Sequence, residues 1–335
     1  MKQHEITKKT PLLDADGNLL VRGYATKMNV VYNREKVKSF PLKLKEWNFY
    51  QIQKDHYSLQ LTLGHVSYMC SVSATLIDID TGEKWEFGTM KPLFIPKLDH
   101  DPEQESRVEF RDKDFYLSFQ VTTEKRILTV QGSNGTFSNV DIFIELENDP
   151  DNEKMVIVTP FDRPRQFYLN YKENYYRGMG KVRFDDKMVD FEGCTGLIDW
   201  GRGVWPYCHE WFWGNLTGHI DGVPFGFNIG WGFGDLRLAT ENMFFYDKKA
   251  YKLGALQVER DEGDYMKPWK LRDPDEKLKM TFTPVFDNYT QNKFVVVDTH
   301  CDQVYGLFDG VIQTEDGEKE FHHVMAFIEH AVNRW

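Results

Sequence analysis

From Trp47 onward, apolar and polar residues alternate with a period of two, which is the signature of half-buried β-strands. Leu59 to Leu63 (LQLTL) alternates, and Val66 to Asp80 (VSYMCSVSATLIDID) does so over a longer run that ends at the turn Asp80-Thr81-Gly82. Trp85 to Phe87, Phe115 to Val121, Ile127 to Gln131 and Val140 to Glu147 continue the series. Short strands spaced by turn-rich gaps point to a sandwich or a barrel.

The second half repeats the pattern. Gln166 to Tyr171, Lys181 to Phe184 and Met188 to Phe191 read as strands, the last two joined by Asp185-Asp186-Lys187. Trp211 to His219 and Val223 to Trp231 flank Asp221-Gly222, a strong hairpin signal. Met243 to Tyr246 and Ala250 to Leu253 flank Asp247-Lys248-Lys249. Leu278 to Phe286, Phe294 to His300 and Tyr305 to Thr314 alternate again. Phe321 to Trp335 fits either a closing strand or a short helix. The lysine-rich stretch Arg34 to Trp47, broken by Pro41, predicts a short helix.

No βαβ alternation occurs, so the expected class is all-β with two consecutive antiparallel halves. The polar gap Asn148 to Lys154 and the proline-containing Thr159 to Arg165 place a boundary near residue 165, giving domains 1–165 and 166–335.

Composition narrows the partners. With a net charge of -11, the chain lacks the basic footprint that nucleic acid or an anionic membrane surface requires. No apolar run has the length of a membrane span, and MKQHEITKK shows no signal-peptide pattern. The cysteines Cys70, Cys194, Cys208 and Cys301 are far apart and form no CxxC pair, as expected of a reduced, cytoplasmic chain.

Chemistry concentrates between Gly193 and Gly234, which holds five of the nine tryptophans. Aromatic walls around a few ionisable groups are how small-molecule pockets are built, and a glycine-bent aromatic core is the plainer alternative. Metal-ligand spacing is missing, since His209, His219, His300 and His330 are scattered and His322-His323 face opposite sides of a strand. No metal and no cofactor are therefore expected. No GxSxG elbow is present, and Cys208 beside His209 cannot form a triad-like pair. The glycine-rich Gly226 to Gly234 lies in strand-like sequence and opens no helix, so it is not a dinucleotide loop.

Asp199 is the leading candidate. It sits in LIDWGRGVW among apolar neighbours, where desolvation raises a carboxylic acid's pKa and suits it to donate a proton. Arg202 is expected beside it, either tuning its pKa, holding an anionic group, or forming a purely structural ion pair. His209 and Glu210 are further acid–base candidates. Trp200, Trp205, Tyr207, Trp211 and Trp213 are the candidate walls, with Glu241, Asn242, Gln303 and Tyr305 as polar contributors.

These residues also carry a resemblance. GLIDWGRGVWPY, the Trp211-x-Trp213 segment and Glu241-Asn242 resemble the bacterial family called domain of unknown function 2804. So do Gln303-Val304-Tyr305-Gly306 with Phe308-x-Gly310, Asp316-Gly317, Phe327-Ile328-Glu329-His330 and the closing Arg334-Trp335. Pro11 to Gly17 fits as well. More distantly, Gly193 followed by Asp199-Trp200-Gly201 is similar to the G…D-x-x-W-G signature of the lipocalin-like group containing hydroxyneurosporene synthase and AttH. Here Asp, Trp and Gly are contiguous. Tocopherol cyclase is a further relative in fold. The resemblance implies two lipocalin-like barrels with a ligand site between or within them, and metal-free, proton-initiated addition, cyclisation or elimination.

The expected function is therefore a metal-free hydratase, cyclase or lyase acting on an apolar or amphipathic small molecule. A carrier that binds such a molecule unchanged, and a carbohydrate-binding or sugar-processing protein, are the alternatives. An acid aimed into the pocket separates enzyme from carrier. Tryptophans on an open groove would mark the sugar binder.

Overall fold

The computed structural model describes residues 3–294 and 297–335. Two curled antiparallel sheets make up nearly all of it, so the all-β expectation holds. The first has 13 strands and the second has 9. Among the described residues, no helix is long and apolar enough to cross a membrane.

The first sheet places Cys194–Val204 at its centre, between Leu44–Lys54 and Phe167–Phe184. Both neighbours pair with it antiparallel over most of its length. The second sheet places Cys208–Ile220 between the Val223–Trp231 strand of its hairpin and the terminal Gly317–Arg334. Each curled sheet folds around its own apolar core. The first is centred on residues such as Tyr50, Leu61, Leu117, Ile142 and Trp200. The second is centred on Phe227, Trp269, Phe282 and Phe308.

Several expectations are corrected. The boundary near residue 165 falls inside the first sheet, because Phe161 to Gln166 is the turn between two paired strands, Met155–Pro160 and Phe167–Phe184. The first sheet runs on to Val204, and the changeover lies at Trp205 to Tyr207. The helix read over Arg34 to Trp47 is two single 3₁₀ turns, Arg34–Lys36 and Pro41–Lys43, followed by a strand from Leu44. Gln166 to Tyr171 and Lys181 to Phe184 belong to one strand of 18 residues, which bulges between Glu173 and Tyr176. Phe321 to Arg334 is strand, paired along one edge with Val297–Thr314 and from Phe327 onward also with Cys208–Ile220. The strand read over Phe294 to His300 is described from Val297, and Val295 and Val296 lie outside the described residues.

The sheets meet through two mixed clusters. One joins Tyr168, Trp205, Phe233, Met243 and Phe245, with Trp47 and Trp211 packed against it. The other joins Ile77, Leu197, Trp213, Tyr305 and Phe327, with Phe49 and Trp211 against it. Both clusters contribute rings to a cavity left between the halves.

Candidate active site

Strand alternation decides what the central strand offers to each side. Trp200 and Arg202 point into the core of the first half, whereas Asp199 lines the cavity between the halves. The expected Asp199–Arg202 neighbourhood is thus not formed, because a three-residue separation on a strand puts the two side chains on opposite faces. Arg202 is fully buried and takes other partners. It donates to Trp47 O at 2.6 Å and to Asn48 Oδ1 at 2.8 Å, pairs with Asp99 at 3.3 Å, and stacks on Trp200 at 3.9 Å.

Asp199 is reached by two donors, both on Oδ1. Asn170 Nδ2 lies at 2.5 Å and Trp47 Nε1 at 3.2 Å. The register explains both contacts: Asn170 and Trp47 each stand opposite Gly201, diagonal to Asp199 on the two flanking strands. Gly201 is required here. A Cβ at that position would come within 2.2 Å of the Trp47 ring, which lies across the strand. Gly201→Ala is expected to push Trp47 aside, costing about 1–3 kcal/mol as overpacking does and weakening any ligand held by that ring. A melting temperature and tryptophan emission equal to wild type would contradict this.

The cavity has a volume of about 470 Å³. Trp47, Phe49 and Tyr168 come from the first half, and Trp211, Trp213 and Phe233 from the second. Among these rings lie Asp199, Lys172, Glu241 and Glu329, with Gln60, Asn288 and Gln303 alongside. Lys172 stands directly opposite Asp199 in register and forms an ion pair with Glu241 at 2.8 Å. Gly230 makes room for that acid, since a Cβ there would sit 2.2 Å from Glu241 Oε1.

Glu329 mirrors Asp199 from the second half. Trp211 Nε1 donates to its Oε1 at 2.8 Å, and Gln303 Nε2 approaches Oε2 at 3.5 Å. Each half therefore supplies one carboxyl group held by an indole N–H. Burial pushes the Asp199 carboxyl above its ordinary range, against the opposing pull of Lys172. Burial raises Glu329 to about 7, helped by the Asp199 carboxylate. The Asp199 charge thus helps the buried Glu329 retain a proton that an isolated carboxylate would lose.

This shift has a consequence for stability. Glu329 titrates near 4.5 when unperturbed and near 7 in the folded chain. Between those values the folded state holds a proton that the unfolded state has released, so stability falls as pH rises. The contribution is complete below about 4.5 and gone above about 7, amounting to at most about 3 kcal/mol. Glu329→Gln should flatten that slope. Denaturant unfolding of both proteins at pH 5 and pH 8 measures it, and identical pH dependence would refute the shift.

The other expected site residues divide sharply. Trp211, Trp213, Glu241 and Gln303 line the cavity. Tyr305 lies just behind it, its hydroxyl bonded to Ser58 at 3.0 Å and Gln60 at 2.9 Å. Asn242 is structural, accepting from Gly230 N at 2.7 Å and donating to Gly254 O at 2.8 Å. Trp205 is buried in the cluster joining the sheets. His209 accepts from its indole at 3.2 Å and bonds Pro206 O at 2.9 Å, and burial lowers the imidazole to about 4. Tyr207 is exposed, and the Glu210 side chain is also exposed, facing His330 at 3.6 Å. These placements leave Trp200, Arg202, Trp205, Tyr207, His209 and Glu210 off the cavity wall.

Lys172, Glu329, Trp47, Tyr168 and Asn170 were not anticipated. All five lie outside the aromatic stretch, and strand pairing and the packing of the two halves bring them to the site. Glu329 stood in the FIEH segment that carried the resemblance, which was its one sequence signal. Cys301 lines the cavity with its thiol pushed well up by burial and by Glu329, which keeps it from acting as a thiolate.

Two curled antiparallel sheets with an aromatic, carboxyl-bearing cavity between them define a two-part lipocalin-like protein. The family model for Domain of unknown function (DUF2804) matches residues 3–335, and the chain belongs to that family. No curated protein sequence matches it. Among solved structures it is similar to kievitone hydratase from Nectria haematococca, with 11% identity, a TM-score of 0.54, and coverage of 90% of this chain and 92% of that one. An AttH candidate from Nitrosomonas europaea shows 10% identity and a TM-score of 0.47, covering 89% and 98% of the two chains. At such identities the likeness to the hydratase establishes a shared fold.

Proposed function

We propose that the cavity between the halves is the active site of a hydratase, cyclase or lyase that starts its reaction by protonating an apolar or amphipathic small molecule. The carrying observation is the pair of buried carboxyl groups, Asp199 and Glu329, each fixed by an indole N–H among aromatic rings. Asp199 is the proton donor. Its Oδ1 is occupied by Trp47 and Asn170, so Oδ2 is the oxygen left to carry the proton. Glu329, which burial raises to about 7, is the second carboxyl of the site and, once ionised, removes a proton or directs water. Trp47, Trp211 and Trp213 face the positive charge that protonation creates, which their π faces stabilise.

The mainly apolar surface of the cavity, with its aromatic rings, supports an apolar ligand over a sugar, and Trp213 is 5% exposed rather than spread on an open groove. A general acid within reach of the ligand favours an enzyme over a carrier.

The test is solvent proton transfer. The protein is incubated in D₂O with unsaturated terpenoids and prenylated phenols, and products are examined by mass spectrometry. Incorporation of carbon-bound deuterium by wild type supports the proposal. Binding of these compounds, shown by tryptophan quenching, without any incorporation overturns it in favour of a carrier.

A further inference from the structure

We propose that the cavity selects organic cations, apolar ammonium compounds above all, over neutral and anionic molecules of the same shape. This rests on the function proposed above, because such a cation imitates the charged species formed when the substrate is protonated.

The charge inventory carries the argument. Among the described residues lining the cavity, Lys172 is the one lysine or arginine. It is already taken by Glu241 at 2.8 Å, so an anionic ligand finds no open cation. Glu241 is further occupied by Asn228 Nδ2 at 3.2 Å. Glu46, at the cavity edge, is satisfied by His65 at 2.9 Å and Tyr32 at 2.7 Å, with Arg34 and Arg202 close by. Tyr168 and Cys301 are held neutral by burial. Asp199 and Glu329 remain as acids that form no direct ion pair among the described residues: Lys172 acts on both from its pair with Glu241, and each is anchored by an indole edge.

The rings complete the site. The indole N–H groups of Trp47, Trp211 and Trp213 are tied to Asp199, Glu329 and Asn228, which fixes the ring planes in advance. Lys172 Nζ already rests 4.5 Å from the centre of the Trp213 ring, so the wall holds an ammonium group in the manner proposed for the ligand. A volume of about 470 Å³ accommodates a ligand of a dozen or more heavy atoms. A bound cation also favours the ionised form of both acids, so its capture releases protons and strengthens as pH rises through about 7.

Three benzyl probes test this on the full chain: benzyltrimethylammonium, its carbon isostere neopentylbenzene, and the smaller anion phenylacetate. Affinity is read by tryptophan fluorescence at pH 6 and pH 8. At pH 8 the cation should bind at least about 10-fold more tightly than the neutral isostere, a difference of about 1.4 kcal/mol. The preference should shrink at pH 6, and phenylacetate should bind most weakly. Asp199→Asn and Glu329→Gln should each weaken benzyltrimethylammonium more than neopentylbenzene, so that most of the preference is lost, with far-UV spectra confirming that both variants fold. Equal or tighter binding of the neutral or anionic probe at pH 8 overturns the inference and leaves an apolar ligand cavity standing. Failure of all three to bind overturns the inference and counts against the cavity as a ligand site.

Discussion

Asp199→Asn is expected to leave the fold standing and to lower turnover by about 10²–10⁴-fold, the range general acid catalysis contributes. The amide keeps an oxygen for Asn170 and Trp47, the two donors on Oδ1. Burial already disfavours the charged form of this carboxyl, so a neutral replacement costs little. The nearby Lys172 keeps its ion pair with Glu241. If Asp199 instead served as half of a structural ion pair, the same change would cost ~3–5 kcal/mol. Thermal melting, probe affinity and deuterium incorporation on the two proteins separate these cases. A stable, ligand-binding and fully active Asn variant would sink the catalytic role.

Arg202→Met is expected to destabilise the chain by about 3–5 kcal/mol, the cost of breaking a buried charge pair by removing one partner. The guanidinium is fully buried and serves Asp99, Asn48 and the Trp47 carbonyl at once, with Glu46 at 3.8 Å. Its removal leaves Asp99 with Trp200 and Asn48 as donors but no cation. Arg202→Lys should recover little, because an ammonium cannot span several acceptors in the guanidinium's fork. Urea unfolding measures the loss, and a change below about 1 kcal/mol would falsify the structural role assigned to Arg202. Because Arg202 braces the strand that carries Trp47, a folded Arg202 variant should also bind ligand less tightly.

Asp199 and Arg202 show where sequence reasoning stops. LIDWGRGVW marked Asp199 as desolvated with Arg202 expected beside it, and both are buried. The same string could not say which faced the ligand until the strand's two faces were assigned. Period-two alternation then separated them, one into a core and one into a cavity. His209 and Glu210 failed as cavity residues for a similar reason. They lie at the start of their strand, where His209 turns toward Trp205 and Glu210 toward solvent and His330.

The domain boundary teaches a related lesson. Prolines and polar turns near residue 165 are strong local signals, but a turn inside a hairpin looks the same as a linker between domains. The distinction is non-local: Cys194–Val204 returns to pair with Leu44–Lys54, far back in the chain.

What the sequence determined by itself was the class of fold, the absence of long helices and the location of the tryptophan-rich stretch. Alternation, turn residues and β-branched or aromatic content act over a few residues, and those forces are written locally. The tertiary structure decided which acids share a cavity. Lys172 meets Asp199 through antiparallel register, and Glu329 meets Trp211 through the pairing of the terminal strand with Cys208–Ile220. Burial raises both carboxyl groups, and the Asp199 charge adds to the rise at Glu329, because desolvation and charge–charge interaction depend on distance and burial rather than on chain order.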